Sequence, residues 1–446
     1  MKSARLLVII MLAGVCAFSW INFASGLGAE DAQQQELLAQ AEELRQKGLY
    51  EGAIEKTYEA AAVRGDEQCY DFLLKTVEEY YAEDPSGADR KREDAYLAAC
   101  QACPGRVDYW EGCAQLYLDG GDMADAASVL RRARARRAES QKLTRQWRQA
   151  YYAYEALYQD YLYLSPAAVS GLYTFQTEDG WGVTAAGGSE VIRGACSYVG
   201  PVSEEGDGCA LAVLADGEVR VLNGDGVSLA RFSGPVVRAR GFGEGLVAVQ
   251  AQDGGSWSFL DNGGQERLGG YLQAGMFQNG AAAVQLSDGQ WLLIDAQGQP
   301  YSEERWDEIL LADNGAYLHG ERMIVRRGQN WLLCDGDGAP LGDTACQQMD
   351  LYFDGPVAFC QNGKWGFMNE DGEVVIEPAY DGAHSFSGGV AAVCRDGLWG
   401  FIDEDGELVV DYTFADAGYF DAGTGCCRVL PEDSTEYCFI RWQVSR

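Results

Sequence analysis

The feature that most constrains this fold is a pattern stated twice in succession between residues 355 and 414. In each copy a short apolar run and a two-residue turn precede a tryptophan, a glycine and a phenylalanine. The tryptophans are Trp365 and Trp399, thirty-four residues apart. A fixed period of this length is typical of repeat architectures, in which each unit buries its apolar face against a neighbour. The sequence therefore predicts a repeat domain in the C-terminal part of the chain.

Local signals inside each copy predict a β-hairpin. Asn362-Gly363 and Asp396-Gly397 lie between apolar runs, and such pairs favour the tight turns of hairpins because both central residues need positive φ. Side chains alternate along a strand, so Trp399 and Phe401 share one face and Gly400 lies on the other. A glycine at this place is expected to let a neighbouring sheet approach closely.

The segments 364–367, 375–381 and 398–403 resemble the bacterial WG-repeat family. The resemblance is close over 350–414 and degenerate over 172–349. Aromatic anchors recur every 34–40 residues, with Val219 and Tyr437 in equivalent places. The repeat-defining residues that this resemblance implies are Trp181, Gly182, Trp257, Trp291, Trp331, Trp365, Gly366, Trp399 and Gly400. The family resemblance implies a non-catalytic interaction domain.

Four short strands in each unit, repeated seven or eight times, predict a β-propeller of seven or eight blades. An open β-hairpin solenoid is the alternative. Closure of a propeller needs complementary strands from the two ends of the domain. The first unit lacks a leading strand in the sequence, and the last unit, 426–442, lacks a final one.

Residues 30–164 have few glycines and apolar residues at helical spacing, which predicts a helical repeat domain. Residues 47–60 resemble the second half of a tetratricopeptide repeat, the same spacing returns at 110–133, and a degenerate middle unit is expected across 70–104. The residues that carry this resemblance are Gly48, Tyr50, Ala53, Ala60, Trp110, Tyr117, Ala126 and Ala133. Such repeats are protein-binding scaffolds or plain helical stalks.

The N-terminal residues 1–29 are interpreted as a signal peptide or an uncleaved membrane anchor. Lys2 and Arg5 precede the mostly apolar stretch 6–24, which would be about 28 Å long as a helix, close to the thickness of a bilayer core. The protein is therefore expected to contact a membrane through 6–24. It would face outside the cytoplasm if anchored, and be secreted if the segment is cleaved.

The predicted domains are thus 1–29, 30–164 and 172–446, with the boundary at 164–172, where Pro166 breaks the helical pattern. The tyrosine-rich stretch 151–165 is interpreted as a helix whose aromatic face packs on the next domain.

Charge indicates which partners fit. The chain has a formal net charge of -34, so phosphates are repelled and nucleic acid is not expected as a partner. One helical stretch is basic instead, through Arg131, Arg132, Arg134, Arg136, Arg137, Lys142, Arg145 and Arg148. It is either a solvated face or a surface that docks onto the acidic C-terminal domain, an anionic polymer or a lipid surface.

Fingerprints of hydrolases, metalloproteases and nucleotide-binding enzymes do not occur in the sequence. The chain has two histidines, His319 and His384, and His384 is interpreted as a structural or exposed residue. The sequence therefore predicts no catalytic residue, and the protein is not expected to be an enzyme.

Metal and redox motifs are weak. The acidic segments 335–338, 369–372 and 403–406 fall where the repeat needs turns and lack the full ligand series of a Ca²⁺ loop. Cys100-Gln-Ala-Cys103 and Cys113 are interpreted as buried packing, with a disulfide or a metal as alternatives. No metal and no cofactor is expected.

The functional hypothesis is a non-catalytic cell-surface scaffold that binds a protein partner or a cell-envelope polymer. A surface hydrolase or lyase acting on carbohydrate is one alternative, and it would need paired acids near a central axis and an aromatic platform. A ligand sensor that relays binding through the helical domain is the other.

Overall fold

A computed structural model describes residues 29–205, 208–342, 344, 346–351 and 354–444. Contacts divide the chain into two compact units that meet between Ala153 and Tyr154. The first is helical and the second consists of antiparallel β-sheets. The predicted signal peptide or membrane anchor at 1–29 lies outside the described residues except for its last residue. Among the helices that are described, none combines the length and apolar character needed to cross a bilayer.

Seven helices make up the described part of the helical unit. They are α1 (which includes 29–46), α2 (Tyr50–Val63), α3 (Glu67–Glu83), α4 (Pro85–Ala102), α5 (Val107–Gly120), α6 (Met123–Ala135) and α7 (Gln141–Tyr151). Side chains cap several helix starts, because the first N–H groups of a helix lack partners within it. Asp66 accepts from the Cys69 N–H, Asp122 from the Asp125 N–H and Ser140 from the Leu143 N–H.

Consecutive helices from α2 to α7 pack against each other, and α7 also packs on α5. The predicted repeats group the helices as the pairs α1 and α2, α3 and α4, and α5 and α6. The second helix of each pair buries two alanines seven residues apart, which lie on one helix face. These alanines are Ala53 and Ala60, Ala88 and Ala95, and Ala126 and Ala133, all at most 1 % exposed. Small residues there let the paired helices approach closely. The helical repeats are thereby confirmed, with the degenerate middle unit at α3 and α4.

The other residues of the tetratricopeptide resemblance hold helix ends and pair contacts. Gly48 and Gly121 take positive φ, 71° and 76°, where a helix ends. The Tyr50 hydroxyl donates to Glu83 at 2.7 Å and the Tyr117 hydroxyl to Glu93 at 2.7 Å. Trp110 is 4 % exposed and its indole N–H donates to the Pro104 carbonyl at 3.0 Å.

The β unit has 29 described strands. In chain order, β1 to β29 are Tyr154–Tyr161, Tyr163–Leu164, Leu172–Thr177, Gly180–Ala185, Glu190–Cys196, Tyr198–Val199, Cys209–Val213, Glu218–Asn223, Ser228–Ser233, Arg238–Gly243, Leu246–Gln250, Trp257–Asp261, Glu266–Tyr271, Gln273–Ala274, Ala282–Gln285, Trp291–Ile294, Glu308–Ile309, Arg322–Arg327, Asn330–Asp335, Gln348–Met349, Val357–Gln361, Lys364–Met368, Val374–Tyr380, Gly382–Ala383, Val390–Arg395, Leu398–Asp403, Leu408–Ala417, Cys426–Pro431 and Tyr437–Trp442.

These strands form seven antiparallel sheets that contain eight hairpin units. In chain order, units 1 to 8 are β2–β5, β6–β9, β10–β13, β14–β16, β17–β19, β20–β23, β24–β27, and β27–β29 together with β1. The largest sheet holds units 7 and 8, which share the ten-residue strand β27. In every unit the anchor residue lies in the third strand and faces a residue of the fourth strand or of the segment in its place. The facing pairs are Trp181 and Cys196, Val219 and Phe232, Trp257 and Tyr271, Trp291 and Trp306, Trp331 and Cys346, Trp365 and Tyr380, Trp399 and Phe414, and Tyr437 and Tyr161.

The glycine after the anchor is required by the fourth strand of its own sheet. The ladder is irregular next to Trp365 and Trp399, where β23 and β27 bulge over the following glycine. A Cβ on Gly366 would lie 2.5 Å from the Ile376 carbonyl oxygen, and Gly182 and Gly400 are equally crowded by backbone. The prediction that this glycine admits a neighbouring sheet was therefore wrong. The glycine instead leaves room for the backbone of the fourth strand of the same sheet.

The helix predicted over 151–165 was also wrong from Tyr154 onward. That stretch forms β1, which pairs with β29 and supplies the last unit with the strand that its own sequence lacks. Tyr161 is 6 % exposed, with its ring centroid 5.2 Å from Phe175 in the first sheet and 6.0 Å from Phe439 in the last. Burial between two sheets explains the aromatic side chain at Tyr161. The division between the two compact units lies after Ala153, ahead of the predicted boundary at 164–172.

Hydrophobic clusters join neighbouring sheets all along the unit. Separate clusters lie between units 1 and 2, 2 and 3, 3 and 4, 4 and 5, 5 and 6, and 6 and 7. Units 7 and 8 are continuous through β27. A further cluster joins unit 8 to unit 1 through Tyr161, Phe439, Tyr173 and Phe175. Each unit thus buries apolar side chains against the units before and after it.

Candidate functional site

The β unit contains a cavity of about 810 Å³, within the range of ligand-binding pockets. All eight hairpin units contribute to its lining. One lining residue from each, in order, is Pro166, Val202, Glu244, Phe277, Asp313, Asp354, His384 and Tyr419. The cavity therefore belongs to the assembled set of units and to no single repeat.

The lining residues follow the first strand of each unit, where the chain reverses before its second strand. In unit 7 the reversal is a two-residue turn in which Ser387 pairs with Val390, and Gly388 and Gly389 have φ of 61° and 76°. Positive φ favours glycine, which explains the Gly-Gly pair. Equivalent bridges at Gln278, His319 and Asp421 place corresponding turns of other units around the same cavity.

Carboxylates dominate the charge of the cavity. Six acidic residues line it, and none of the described lining residues is a lysine or an arginine. We call these six carboxylates the acidic rim: Glu204, Glu205, Glu244, Asp313, Asp354 and Asp421. Without a basic counterpart, their potential favours a cationic ligand.

Part of the acidic rim braces adjacent turns. The Glu244 N–H donates to Glu205 at 2.6 Å, the Gly280 N–H donates to Glu244 at 2.8 Å, and the Gly388 N–H donates to Asp354 at 3.1 Å. Each of these bonds joins a carboxylate of one unit to a turn of the next. These carboxylates therefore fix the shape of the cavity as well as its charge.

Glu204 and Asp313 differ from the bracing residues. Both are exposed, and their carboxylates accept no hydrogen bond and form no ion pair with the described residues. Arg240 Nη1 donates to the backbone carbonyl of Asp313 at 2.9 Å and leaves the Asp313 carboxylate without a described donor. A cationic ligand can therefore bind the two carboxylates without breaking a described hydrogen bond. They are the carboxylates best placed to take a ligand charge.

A second cluster is centred on Asp350, which lies beside lining residues. Its carboxylate accepts from the Tyr419 hydroxyl at 2.8 Å and from the Ser385 N–H at 2.7 Å, and His384 Nδ1 lies 3.6 Å away. The His384 ring stacks on Trp399 with 4.9 Å between centroids. Burial and the Asp350 charge raise the pKa of Tyr419 well above its usual value, so this hydroxyl remains a donor.

Both histidines of the chain line the cavity. Burial lowers the pKa of His319 to about 4, opposed in part by the Asp350 charge, so its imidazole is neutral near pH 7. The interpretation of His384 as merely structural or exposed missed this convergence. A signal was present, since Asp350 and His384 are thirty-four residues apart and both directly follow the first strand of their unit.

Other residues singled out in the sequence have structural places. Of the anchors Trp181, Trp257, Trp291, Trp331, Trp365 and Trp399, none lines the cavity. In the turn 335–338, Asp335 Oδ1 accepts from the N–H groups of Asp337 and Ala339 at 3.0 and 2.9 Å. Asn369 and Asp403 accept from backbone N–H groups at the equivalent turns. Within the described residues no group of three or more metal-ligating side chains is assembled.

The cysteines of the helical unit are packed in its interior. Cys100 and Cys113 are 2 % and 1 % exposed. A hydrogen bond between the two thiols, together with burial, raises the pKa of Cys100. All thirteen described cysteines are free thiols.

Comparison with protein families identifies the repeat. The family model described as WG containing repeat matches residues 365–399 and 399–429. The two matches start at the anchors Trp365 and Trp399. No curated protein matches the chain. The chain is therefore a repeat protein with an N-terminal helical region, and its residues 365–429 are repeats of the WG-containing family.

Proposed function

We propose that the β unit is an eight-bladed propeller that serves as a non-catalytic scaffold, and that a cationic segment of a protein partner binds in its cavity. The propeller is supported by the hydrophobic clusters between successive units and by the cluster that joins unit 8 to unit 1. Completion of the last unit by β1 supports the same arrangement, because it removes a free edge.

The observation that carries this proposal is the acidic rim, which faces the cavity with no described lysine or arginine among the lining residues. A lysine or arginine side chain of a partner supplies the missing charge. Nucleic acid does not fit, because its phosphates are repelled by the same carboxylates.

Hydrolysis of carbohydrate fits less well than binding. The carboxylates do converge, as that alternative requires, yet several of them brace backbone turns. The aromatic lining residues Phe277, Tyr419 and Phe420 are 1 %, 6 % and 1 % exposed. A sugar ring needs an exposed aromatic face to stack on, and these three residues do not offer one.

Placement at the membrane, or secretion, is part of the proposal and is supported by the apolar sequence of residues 6–24. Protease treatment of intact cells tests it. Digestion of the β unit from outside is expected, and full protection in intact cells with digestion after lysis would contradict it.

A peptide titration tests the binding proposal. Fluorescence anisotropy with the full chain is expected to show saturable binding of a hexa-arginine peptide and none of a hexa-glutamate peptide. The double variant Glu204→Gln/Asp313→Asn should bind hexa-arginine about tenfold more weakly, since each lost charge contact contributes about 0.5–1 kcal/mol.

The matched control is Glu178→Gln/Asp179→Asn, which changes the net charge equally at exposed residues away from the cavity. It should leave the affinity unchanged. Equal affinity of both variants for the peptide would show that the peptide binds the acidic surface in general, and the proposal would fail.

A further inference from the structure

The end of α6, the following turn and the start of α7 carry a dense group of unpaired arginines. We call this group the arginine patch. All its members are exposed, and none forms an ion pair with a described carboxylate. The members are Arg131, Arg132, Arg134, Arg136, Arg137 and Arg145.

Six neighbouring arginines without ion pairs distinguish the patch from the rest of the chain. The chain has 68 acidic and 34 basic residues. Most cations of the described residues outside the patch form ion pairs with carboxylates, and those that do not, such as Arg90, Arg193 and Arg305, lie far apart from one another in the sequence. Arg106, for example, forms ion pairs with three carboxylates, those of Glu67, Asp71 and Asp108. Interaction with the C-terminal end of a helix accounts for Arg132 and Arg134, which lie in the last turn of α6. It does not account for Arg137 or Arg145.

The patch is also purely electrostatic. The exposed large apolar side chains of the described residues all lie outside 131–148. Trp147 is half-buried and stacks on Tyr151 with 5.0 Å between ring centroids. The patch therefore has no apolar group to insert into a bilayer and no open aromatic face for a nucleic-acid base. Its chemistry fits a surface of clustered carboxylates, which guanidinium groups bind in bidentate geometry.

The same chain presents such a surface. We propose that the arginine patch of one molecule binds the acidic rim of the cavity in a second copy of this chain, in a head-to-tail contact. This inference rests on the proposed function of the cavity as a cation-binding site. The patch has six guanidinium groups that form no ion pair with a described carboxylate. The rim offers Glu204 and Asp313, whose carboxylates accept no hydrogen bond from the described residues, with Arg240 bound to the backbone carbonyl of Asp313. Because the two surfaces differ, each molecule can contact two others, and the assembly is a ring or an open chain.

Salt has two opposite effects on the contact: it screens the repulsion between the two negatively charged molecules, and it weakens the attraction between the patch and the rim. Two molecules of net charge -34 repel each other, and this repulsion is confined to about 8 Å at 0.15 M salt. At about 1 M salt the screening length is about 3 Å, which weakens the contact itself. Self-association is therefore expected at 0.15 M salt and is lost at 1 M.

Complementation between two variants tests the contact. Sedimentation velocity of the full chain at 0.15 M salt should show species larger than the monomer. Arg131→Gln/Arg132→Gln/Arg134→Gln and Glu204→Gln/Asp313→Asn should each be monomeric, since each has lost one of the two surfaces. Their equimolar mixture should form a heterodimer and nothing larger, because only one complementary pair of surfaces remains. Glutamine preserves the helix propensity of the arginine positions.

The matched control is Arg90→Gln/Arg193→Gln/Arg305→Gln, which removes three exposed arginines that likewise form no ion pair with described carboxylates. It should assemble like the original chain. Assembly by either test variant alone, or a monomeric mixture, would overturn the head-to-tail contact.

The hexa-arginine titration separates this inference from the proposed function. If the patch variant binds the peptide with unchanged affinity while the mixture stays monomeric, the cavity binds cations but the second copy is not its partner. If the peptide fails to bind as well, the proposed function itself fails. Vesicles of phosphatidylglycerol are the remaining probe. Binding that requires the patch arginines, in a chain that stays monomeric, would assign the patch to lipid and overturn the inference.

Discussion

The hydroxyl of Tyr419 lies 2.8 Å from both carboxylate oxygens of Asp350, which is sixty-nine residues away in sequence. Asp350 follows the first strand of unit 6, whereas Tyr419 follows the first strand of unit 8. Unit 7 contributes His384 between them, with its ring centroid 4.7 Å from that of Tyr419. A partly buried hydrogen bond and a ring contact thus link three successive units beside the cavity.

Removing this hydroxyl should destabilise the β unit. Tyr419→Phe keeps the ring and leaves the Asp350 carboxylate without its phenolic donor. A hydrogen bond to a charged group contributes about 1.5–3 kcal/mol, so the free energy of unfolding should fall by about 2 kcal/mol in urea denaturation. Tyr301→Phe, at a residue that is 56 % exposed, is the control and should have no effect. Equal stability of both variants would contradict the role given to the bond.

The glycine that follows the anchor should tolerate no side chain. A Cβ on Gly400 would lie 2.6 Å from the Val410 carbonyl oxygen, which belongs to backbone and cannot rotate away. Gly400→Ala should therefore lower the free energy of unfolding by about 1–3 kcal/mol. Gly234→Ala is the matched control, because a Cβ there meets no atom within 4 Å. Thermal unfolding of the two variants gives the comparison, and a stable Gly400→Ala would show that β27 can shift.

Stability should depend on pH through His319. Burial lowers its pKa from the ordinary 6.5 to about 4 in the folded protein, so the unfolded chain binds this proton more tightly. The associated stability is present above pH 6.5 and is lost as the pH falls towards 4. His319→Gln should remove about 3 kcal/mol of this pH dependence of the free energy of unfolding, since one unit of pKa corresponds to about 1.4 kcal/mol. Above pH 7.5 the curves of the variant and the original chain should run parallel, and parallel curves down to pH 4 would refute the prediction.

The contact between the first and last sheets should be essential to the β unit. Tyr161→Ala removes a ring that is packed between Phe175 and Phe439, and truncation of a buried aromatic residue costs about 3–5 kcal/mol. Tyr161→Phe keeps the ring and should cost far less. Tryptophan fluorescence during denaturation reports the loss, because the anchors lie in the sheets. A small effect of Tyr161→Ala would mean that this contact contributes little to the stability of the unit.

Much of the hairpin architecture could be predicted because its signals are local. The turns at 362–363 and 396–397, the anchors and the glycines after them lie within a few residues of one another, so one sequence window contains the whole pattern. The small residues Ala53, Ala60, Ala126 and Ala133 predicted the helical repeats in the same way.

The strand at 154–161 could not be predicted, because its structure is decided by a distant partner. Six of the residues from 151 to 163 are tyrosines. An amphipathic helix accommodates tyrosine as well as a strand does. Pairing with 437–442 at the other end of the β unit decides between them. No spacing within the stretch reveals that partner.

The cavity could not be predicted from the sequence for a related reason. Each unit contributes only a few lining residues, and adjacent units place them about one repeat length apart in the sequence. The repeat length of thirty-four residues separates Asp350 from His384, and Ser387 from Asp421. Asp313 and Glu204 share no such offset, since they belong to degenerate units and meet only when the units are assembled.

The pairing of β1 with β29 has a consequence for biosynthesis. A ribosome releases 154–161 long before 437–442, so the earliest strand of the β unit leaves the exit tunnel with no partner for its outer ladder. Its backbone amides and the Tyr161 ring stay open to water, or to chaperones, until 437–442 has been synthesised. Nascent chains of this protein therefore cannot complete the β unit before 437–442 is synthesised, and a premature stop codon before residue 437 leaves β1, made hundreds of residues earlier, without its partner strand.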